Sequence, residues 1–428
     1  MSEASIADSM GPLGRPGSPP ERPAGTRVVL DARPLQEPDR APTTAAYLDS
    51  LLGAFNAEPL EGESFALFLQ SDLDDPTTRF GRLDVVGRRL LPPTRLLRSG
   101  AMTIDPFVLR GASLGAAWRA DRSGAAGAVY HAAGGGTLPL ASGLPVVVTL
   151  LDLAPWELPG AFQRTIVTRF GQRLRGQLLR DARAVIVGTE AAATLARRLV
   201  RIRRERLRVI PFAARPAFRP GIPGLEIERE RLGLPGQYLI YAGRYDARQD
   251  LATLLKAIAL LAADGRPHEL AADVPWPPRV LLVGASPDDR AALARAAARE
   301  DVGDALAYAP RLPDDRLAAL MGGARAALLP VLSETAGLGA IDAIAAGTPV
   351  VASAVGALPE LVGAAGILVE PRDPQRLAVA LRAICLDDRV HAQLAGSALE
   401  RAGSERRSWA EVADETRRVY AEIGAGTD

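Results

Sequence analysis

Two acids, Glu334 and Asp342, stand on either side of a glycine-containing turn in the stretch PVLSETAGLGAIDAIAAGTPVVAS at 330–353. The run up to Val331 reads as a strand, 338–346 as a helix, Gly347 as its C-terminal cap and Pro349 as the entry to the next strand. A turn feeding a helix N-terminus offers free backbone N–H groups and the positive end of the helix dipole, which is a physical site for a phosphate. Glu334 falls in the turn and Asp342 about one turn into the helix. Carboxylates so placed can accept hydrogen bonds from the vicinal hydroxyls of a sugar and of a ribose beside the phosphates. The local physics equally allows Glu334 to be a capping acid and Asp342 a solvated helix residue.

His131, in AVYHAAGGGTLPL, ends a predicted strand before Gly134, Gly135 and Gly136, a position from which it would face a cleft. A lone histidine at a strand end also fits a structural role. The other histidines, His268 and His391, are far away in sequence, and the single cysteine, Cys385, excludes an intramolecular disulfide framework. No metal site and no cofactor beyond a donor substrate are expected.

Elements that could position these groups alternate along the chain. Strands are expected at 27–32, 65–70, 128–133, 145–152, 184–189 and 207–212. The segment FAARPAFRPGIPG at 212–224 then concentrates Pro and Gly without periodicity, and the pattern restarts at 238–243, 279–284, 305–310, 326–331, 348–353 and 366–370. Amphipathic stretches such as DLATLLKAIALLA (250–262) lie between the strands. The alternation predicts an α/β chain of two Rossmann-like doubly wound domains, 27–215 and 216–406, with a ligand in the cleft at the carboxyl ends of their strands. A final amphipathic helix, 407–428, carries Trp409, Val412, Thr416, Val419 and Tyr420 on one face and is expected to pack back on the first domain.

At 428 residues two domains are the natural count. A formal charge of +1 gives no signature of a nucleic-acid partner. The first 26 residues are rich in Pro, Gly and Ser without an apolar core, so they read as a disordered tail and not a leader; with no run long enough to span a bilayer, the expected location is cytoplasmic. The stretch FQRTIVTRFGQRLRGQLLRDAR at 162–183 places Phe162, Ile166, Phe170, Leu174 and Leu178 on one side of a helix crowded elsewhere with arginines. It fits either an amphipathic helix packed on the sheet or one that touches the inner face of a membrane peripherally.

The stretch at 330–353 resembles the donor-binding signature of family 4 glycosyltransferases of the GT-B fold, E-G-F-G-L-P-x-x-E-A-M-A-x-G-T-P-V-V-A, here E-T-A-G-L-G-A-I-D-A-I-A-A-G-T-P-V-V-A. The similarity continues through 352–381, through YLIYAGRYDARQDLATLLKAI at 238–258, and into the terminal SW-plus-helix. It implies a retaining, metal-independent transfer of a sugar from a nucleotide-sugar donor to a glycan, lipid-linked or small-molecule acceptor. Glu334 would contact the donor sugar and Asp342 the ribose, while backbone amides around Gly337 and Leu338 hold the diphosphate. In GRYDARQD (243–250) the resemblance assigns the loop at Gly243 to the donor and matches Arg244 to the family Arg that stabilises the departing diphosphate. Gln249 stands at the family Lys, and the neighbouring Arg248 could compensate.

The first domain departs further from the family. The Gly-rich loop after the opening strand is replaced by RAPTTAAY (40–47), which keeps only Tyr47, and VTLLDL (148–153) has Leu151 at the usual His but retains Asp152. His131, Asp152 and Tyr47 are therefore the polar candidates on the acceptor or sugar side. These departures together keep open a second reading, a non-catalytic GT-B paralogue that binds a nucleotide sugar or a protein partner.

Overall fold

Runs such as VVL at 28–30, LIY at 239–241 and VLL at 280–282 are apolar at every position and buried throughout. That pattern fits parallel strands covered by helices on both faces. In the computed structural model, which describes residues 25–94, 96, 101–122, 127–268, 270–404 and 406–425, they form two parallel sheets. The tail expected at 1–26 lies, up to residue 24, outside the described residues.

The first sheet has the order β3-β2-β1-β4-β5-β6-β7, from β1 (Arg27–Asp31), β2 (Ser64–Gln70), β3 (Val85–Leu91), β4 (Ala128–Ala133), β5 (Val146–Thr149), β6 (Ala184–Val187) and β7 (Leu207–Val209). The second is β10-β9-β8-β11-β12-β13, from β8 (Leu239–Ala242), β9 (Val280–Val283), β10 (Leu306–Ala309), β11 (Ala326–Leu329), β12 (Val350–Ser353) and β13 (Gly366–Val369). Both start in the middle, wind outward to one edge and return to the other. Each therefore has a switch point, between β1 and β4 in one and between β8 and β11 in the other, where a crevice opens at the carboxyl ends of the strands. Strand β3 was not among those expected from sequence. It is a sheet edge whose residues Gly87, Arg88, Arg89 and Leu90 are exposed, so it lacks the apolar run that marks the interior strands.

The C-terminal helix Trp409–Ala425 lies on the first domain. Trp409 packs edge-on against Tyr47 with ring centroids 5.6 Å apart and donates its indole N–H to the Ala214 carbonyl at 2.9 Å. Arg417 grips the Glu63 carboxylate with two bonds of 2.9 and 2.8 Å and covers the Phe55 ring. Tyr420 is hydrogen-bonded to His131 Nδ1 at 2.7 Å, His131 Nε2 to Thr149 Oγ1 at 3.0 Å, and Thr149 Oγ1 in turn to Tyr47 at 3.0 Å.

This chain of four side chains corrects two expectations. His131 is 0% exposed and does not face the cleft, because its ring is turned to the face of the sheet that the C-terminal helix covers. Tyr47 is likewise 0% exposed, between Phe212 and Trp409. Both are core residues whose polar atoms are satisfied internally.

Burial drives the His131 pKa down to about 3, against about 6.5 in an unfolded chain. The folded state holds this ring neutral, so its contribution to stability is complete above about pH 6.5 and drains away as pH falls toward 3. Chemical denaturation of wild type should lose stability across that window with a slope approaching one proton, about 1.36 kcal/mol per pH unit. In His131→Asn that part of the slope should vanish; an unchanged slope would show that His131 titrates normally.

Candidate active site

The loop after β11 is stapled to the loop after β8. Asp250 N–H donates to the Pro330 carbonyl at 2.8 Å, Leu332 N–H to the Arg248 carbonyl at 2.6 Å, and Gln249 bridges to Val331. The two donor-side segments singled out in the sequence therefore form one wall, at the switch point of the second sheet. Gly337 sits at φ 67°, and a side chain there would strike Leu361 at 2.0 Å. Gly356 is as constrained, since a Cβ would lie 1.8 Å from the Glu334 carbonyl oxygen.

Glu334 turns its Oε1 back on its own loop, accepting from Ala336 N–H at 3.1 Å and Gly337 N–H at 2.9 Å. Burial holds this carboxyl above the usual carboxylate range, and the two amides pull it partly back. The Gly337 amide, expected at a diphosphate, is thus on Glu334. Gly337 and Leu338 lie behind the wall, whereas Glu334, Thr335 and Gly339 line the cavity.

Asp342 is 2% exposed and does not line that cavity. Its carboxylate accepts from Arg215 N–H at 2.9 Å and Arg215 Nε at 2.8 Å, and Arg215 also pairs with Asp314 and covers the Phe218 ring at 4.3 Å. Asp342 therefore fastens the segment between the domains to the second domain. A partner 127 residues away left no local mark in the sequence.

Gly243 and Arg244 line the cavity from the loop after β8. Arg244 has weak partners only, the Arg40 carbonyl at 3.4 Å and the Asp246 carboxylate at 3.9 Å. Burial first, and then the charge of Arg248, lower its pKa. Arg248 reaches across the cleft to Asp152, with both carboxylate oxygens engaged, and also pairs with Asp246. Its guanidinium lies 4.6 Å from the centre of the Phe162 ring. Burial works against the charges of both partners, but the Asp152–Arg248 contact outweighs it: the Asp152 carboxyl is held below its usual range and Arg248 above its own.

Behind Asp152 stands a group the sequence reading placed only on an amphipathic helix. Arg175 is buried, donates to the carbonyls of Gly136 at 3.0 Å and Gly134 at 3.1 Å, and covers the Trp156 ring. Burial lowers its pKa to about 10, which leaves it a cation beside Asp152 at neutral pH. It fixes the glycine loop against which Asp152 rests, for a Cβ on Gly135 would lie 3.1 Å from Asp152 Oδ2.

The result is two connected spaces. A cavity of about 100 Å³ lies between Thr44, Leu151 and Asp152 of the first domain and Gly243, Arg244, Gln249 and Glu334 of the second. It shares Thr44, Asp152, Arg244 and Arg248 with a cavity of about 330 Å³ at the switch point of the first sheet, lined there by Asp31, Arg33, Asp105, Gly135, Gly136 and Thr137. Arg33 is clamped by Asp31 and by Asp105, the latter also receiving hydrogen bonds from Thr94 and Thr137. Asp31 and Arg33 stand in the recognisable opening VVLDARP, but Asp105, near the start of the helix Ala101–Arg122, carries no sequence signal.

Residues 236–387 match the family model described as glycosyl transferases group 1. The D-inositol 3-phosphate glycosyltransferase of Streptomyces avermitilis is 36% identical over 207 residues, covering 47% of this chain and 44% of that protein. The chain spans about half the length of the curated relatives it matches. Among solved structures, sucrose-phosphate synthase of Thermosynechococcus elongatus superposes with a TM-score of 0.68 at 21% identity, over 93% of this chain and 99% of that one. The Anabaena HepE protein in complex with UDP gives 0.64 at 17%, over 93% and 100%. Residues 236–387 thus resemble the glycosyl transferases group 1 family, and the chain as a whole has the GT-B fold of two Rossmann-like domains.

Proposed function

We propose that the chain is a retaining glycosyltransferase that moves a sugar from a nucleotide-sugar donor to an acceptor hydroxyl without a catalytic metal. The observation that carries this reading is the meeting of Arg244 and Glu334 with Asp152 around one cavity at the carboxyl ends of both sheets. Structural neighbours solved with UDP and with UDP-glucose support the donor class.

In this reading the donor diphosphate lies against Arg244, whose present partners at 3.4 and 3.9 Å hold it weakly enough to be exchanged for a phosphate. Arg248 supplies the second cation that Gln249 cannot, shared between Asp152 and the phosphate. The Glu334 oxygen not engaged by the loop accepts from a hydroxyl of the donor sugar. The acceptor hydroxyl attacks the anomeric carbon on the face from which the nucleoside diphosphate departs, the bond to the phosphate oxygen breaks, and the acceptor proton leaves to that oxygen. Catalysis rests on positioning and on the two guanidinium charges. The acceptor, a glycan, a lipid-linked sugar or a small molecule, enters from the 330 Å³ side. The reaction is placed in the cytoplasm, at the inner face of the membrane where the acceptor is lipid-linked.

One observation favours a non-catalytic reading, nucleotide-sugar or protein binding without turnover: the Gly337 amide and Arg248 are both occupied by partners within the chain.

With a panel of UDP-, GDP- and ADP-sugars, Glu334→Gln should lower kcat/KM by about 30-fold, the weight of a charge-assisted hydrogen bond of about 2 kcal/mol. No turnover by wild type with any donor and acceptor would leave only the binding reading. Thermal-shift titration with free UDP and GDP separates the two cations from their neighbour. Arg244→Ala and Arg248→Ala should each weaken nucleotide binding about tenfold or more, while Gln249→Ala should change it less than threefold. A large loss at Gln249 with none at Arg248 would overturn the assignment of the second cation.

A further inference from the structure

The inner end of the 330 Å³ cavity is built from charged groups already committed to one another. Arg33 directs Nε and Nη2 at the two oxygens of Asp31, at 2.8 and 2.7 Å, and Nη1 at Asp105 Oδ1, at 2.8 Å. Thr94 donates to that same Asp105 oxygen at 2.7 Å, and Thr137 donates to the other. The side chains of Asp31, Arg33 and Asp105 are only 8%, 11% and 7% exposed, yet all three line the cavity. Burial opposes the charges of Arg33 and Asp105, but their pairing outweighs it: the Asp105 carboxyl is held below its usual range and the Arg33 guanidinium above its own. Asp31 and Arg33 belong to the end of β1, whereas Asp105 is drawn in from 72 residues away on the helix Ala101–Arg122.

This clamp decides what the cavity can hold. Among the described residues its inner end is lined by three carboxylates, Asp31, Glu37 and Asp105, against two guanidiniums, Arg33 and Arg40. Arg40 lies 3.8 Å from Glu37, and Arg33 could meet a phosphate only by giving up a carboxylate. A phosphate entering here would lose its hydration, face a net negative wall and leave a buried charge unpaired. A hydroxyl meets the opposite situation. An ionised carboxylate has about four acceptor sites, and Asp31 and Asp105 each receive three bonds from the chain. Each therefore keeps about one place for a hydroxyl donor, and the two stand on either side of one guanidinium.

We propose that Asp105, by holding Arg33, is the specificity-determining residue of this cavity, which takes an uncharged polyhydroxyl ring and turns away the phosphate monoester of the same ring. The binding preference stands on the clamp alone. That the bound ring is the acceptor rests on the glycosyl-transfer reading of the cleft, in which Arg244 and Arg248 at the far end are engaged by the donor diphosphate.

Isothermal titration calorimetry of the full chain in the presence of UDP tests the preference, with myo-inositol, glucose and mannose each compared with its own monophosphate. At least one neutral ring should bind, and at least tenfold more tightly than its phosphate. Asp105→Asn releases Arg33 Nη1 and should reverse the order, with the phosphate gaining tenfold or more. Asp31→Asn opens Arg33 from the other side and repeats the test should Asp105→Asn fail to fold. Thr137→Val leaves Arg33 clamped and should keep the wild-type preference. Phosphates binding to wild type as tightly as the neutral rings, no binding of any compound, or an unchanged preference in the folded Asn variants would overturn the proposal. Wild type that shows the preference but transfers no sugar to the bound ring would uphold the clamp and remove only the acceptor role.

Discussion

The pairing of Arg248 with Asp152 holds the cleft in the form described. Both side chains are largely withdrawn from water, at 15% and 16% exposure, so each charge is costly without the other, and removing one partner of such a buried pair costs about 3–5 kcal/mol. Further polar contacts cross the cleft beside it. Leu153 N–H donates to Thr335 Oγ1 at 2.9 Å, Ser333 to Glu157, and the amides of Glu190 and Ala191 to the Glu360 carboxylate. The apolar part of the interface is small, with Ala336 and Leu338 joining the first domain's cluster, so ions and single hydrogen bonds make up much of the contact between the domains. The same constraint explains why Arg175 is buried without a carboxylate of its own: its charge and that of Arg248 flank a single Asp152.

The C-terminal helix supplies the fixed side of this arrangement. Trp409 fastens it to the hinge carbonyl at Ala214, and Asp342 fastens Arg215, the next residue, to the second domain. The hinge is thus gripped from both domains by side chains distant in sequence. The buried chain from Tyr420 through His131 and Thr149 to Tyr47 ties the same helix to β4, β5 and the helix Pro42–Ala57. The short segment between the domains therefore has a defined seat at each end.

The strands of both sheets, apart from the exposed edge β3, were legible because parallel strands buried on both faces leave continuous apolar runs. That the turn at 334–337 and the loop at 243–249 lie together was legible for a related reason: both follow strands directly and carry their polar residues together. What was not legible came from contacts distant in sequence. Nothing near His131 announces that residue 420 will bond to it, so a histidine before three glycines looked like a cleft residue. Asp342 looked like a ligand because its partner is Arg215. Arg175 looked like one more arginine on a basic helix, and only the fold brings it under the glycine loop.

A crystal structure of the chain with UDP, or with the nucleoside diphosphate that stabilises it most, tests the donor site most directly. The diphosphate should lie in the cavity between Arg244 and Glu334, with oxygens in hydrogen-bond reach of Arg244 and of Arg248, and with Arg248 shared with or released from Asp152. A nucleotide bound away from this cavity, or a diphosphate there with Arg248 unchanged on Asp152 and no contact to Arg244, would contradict it.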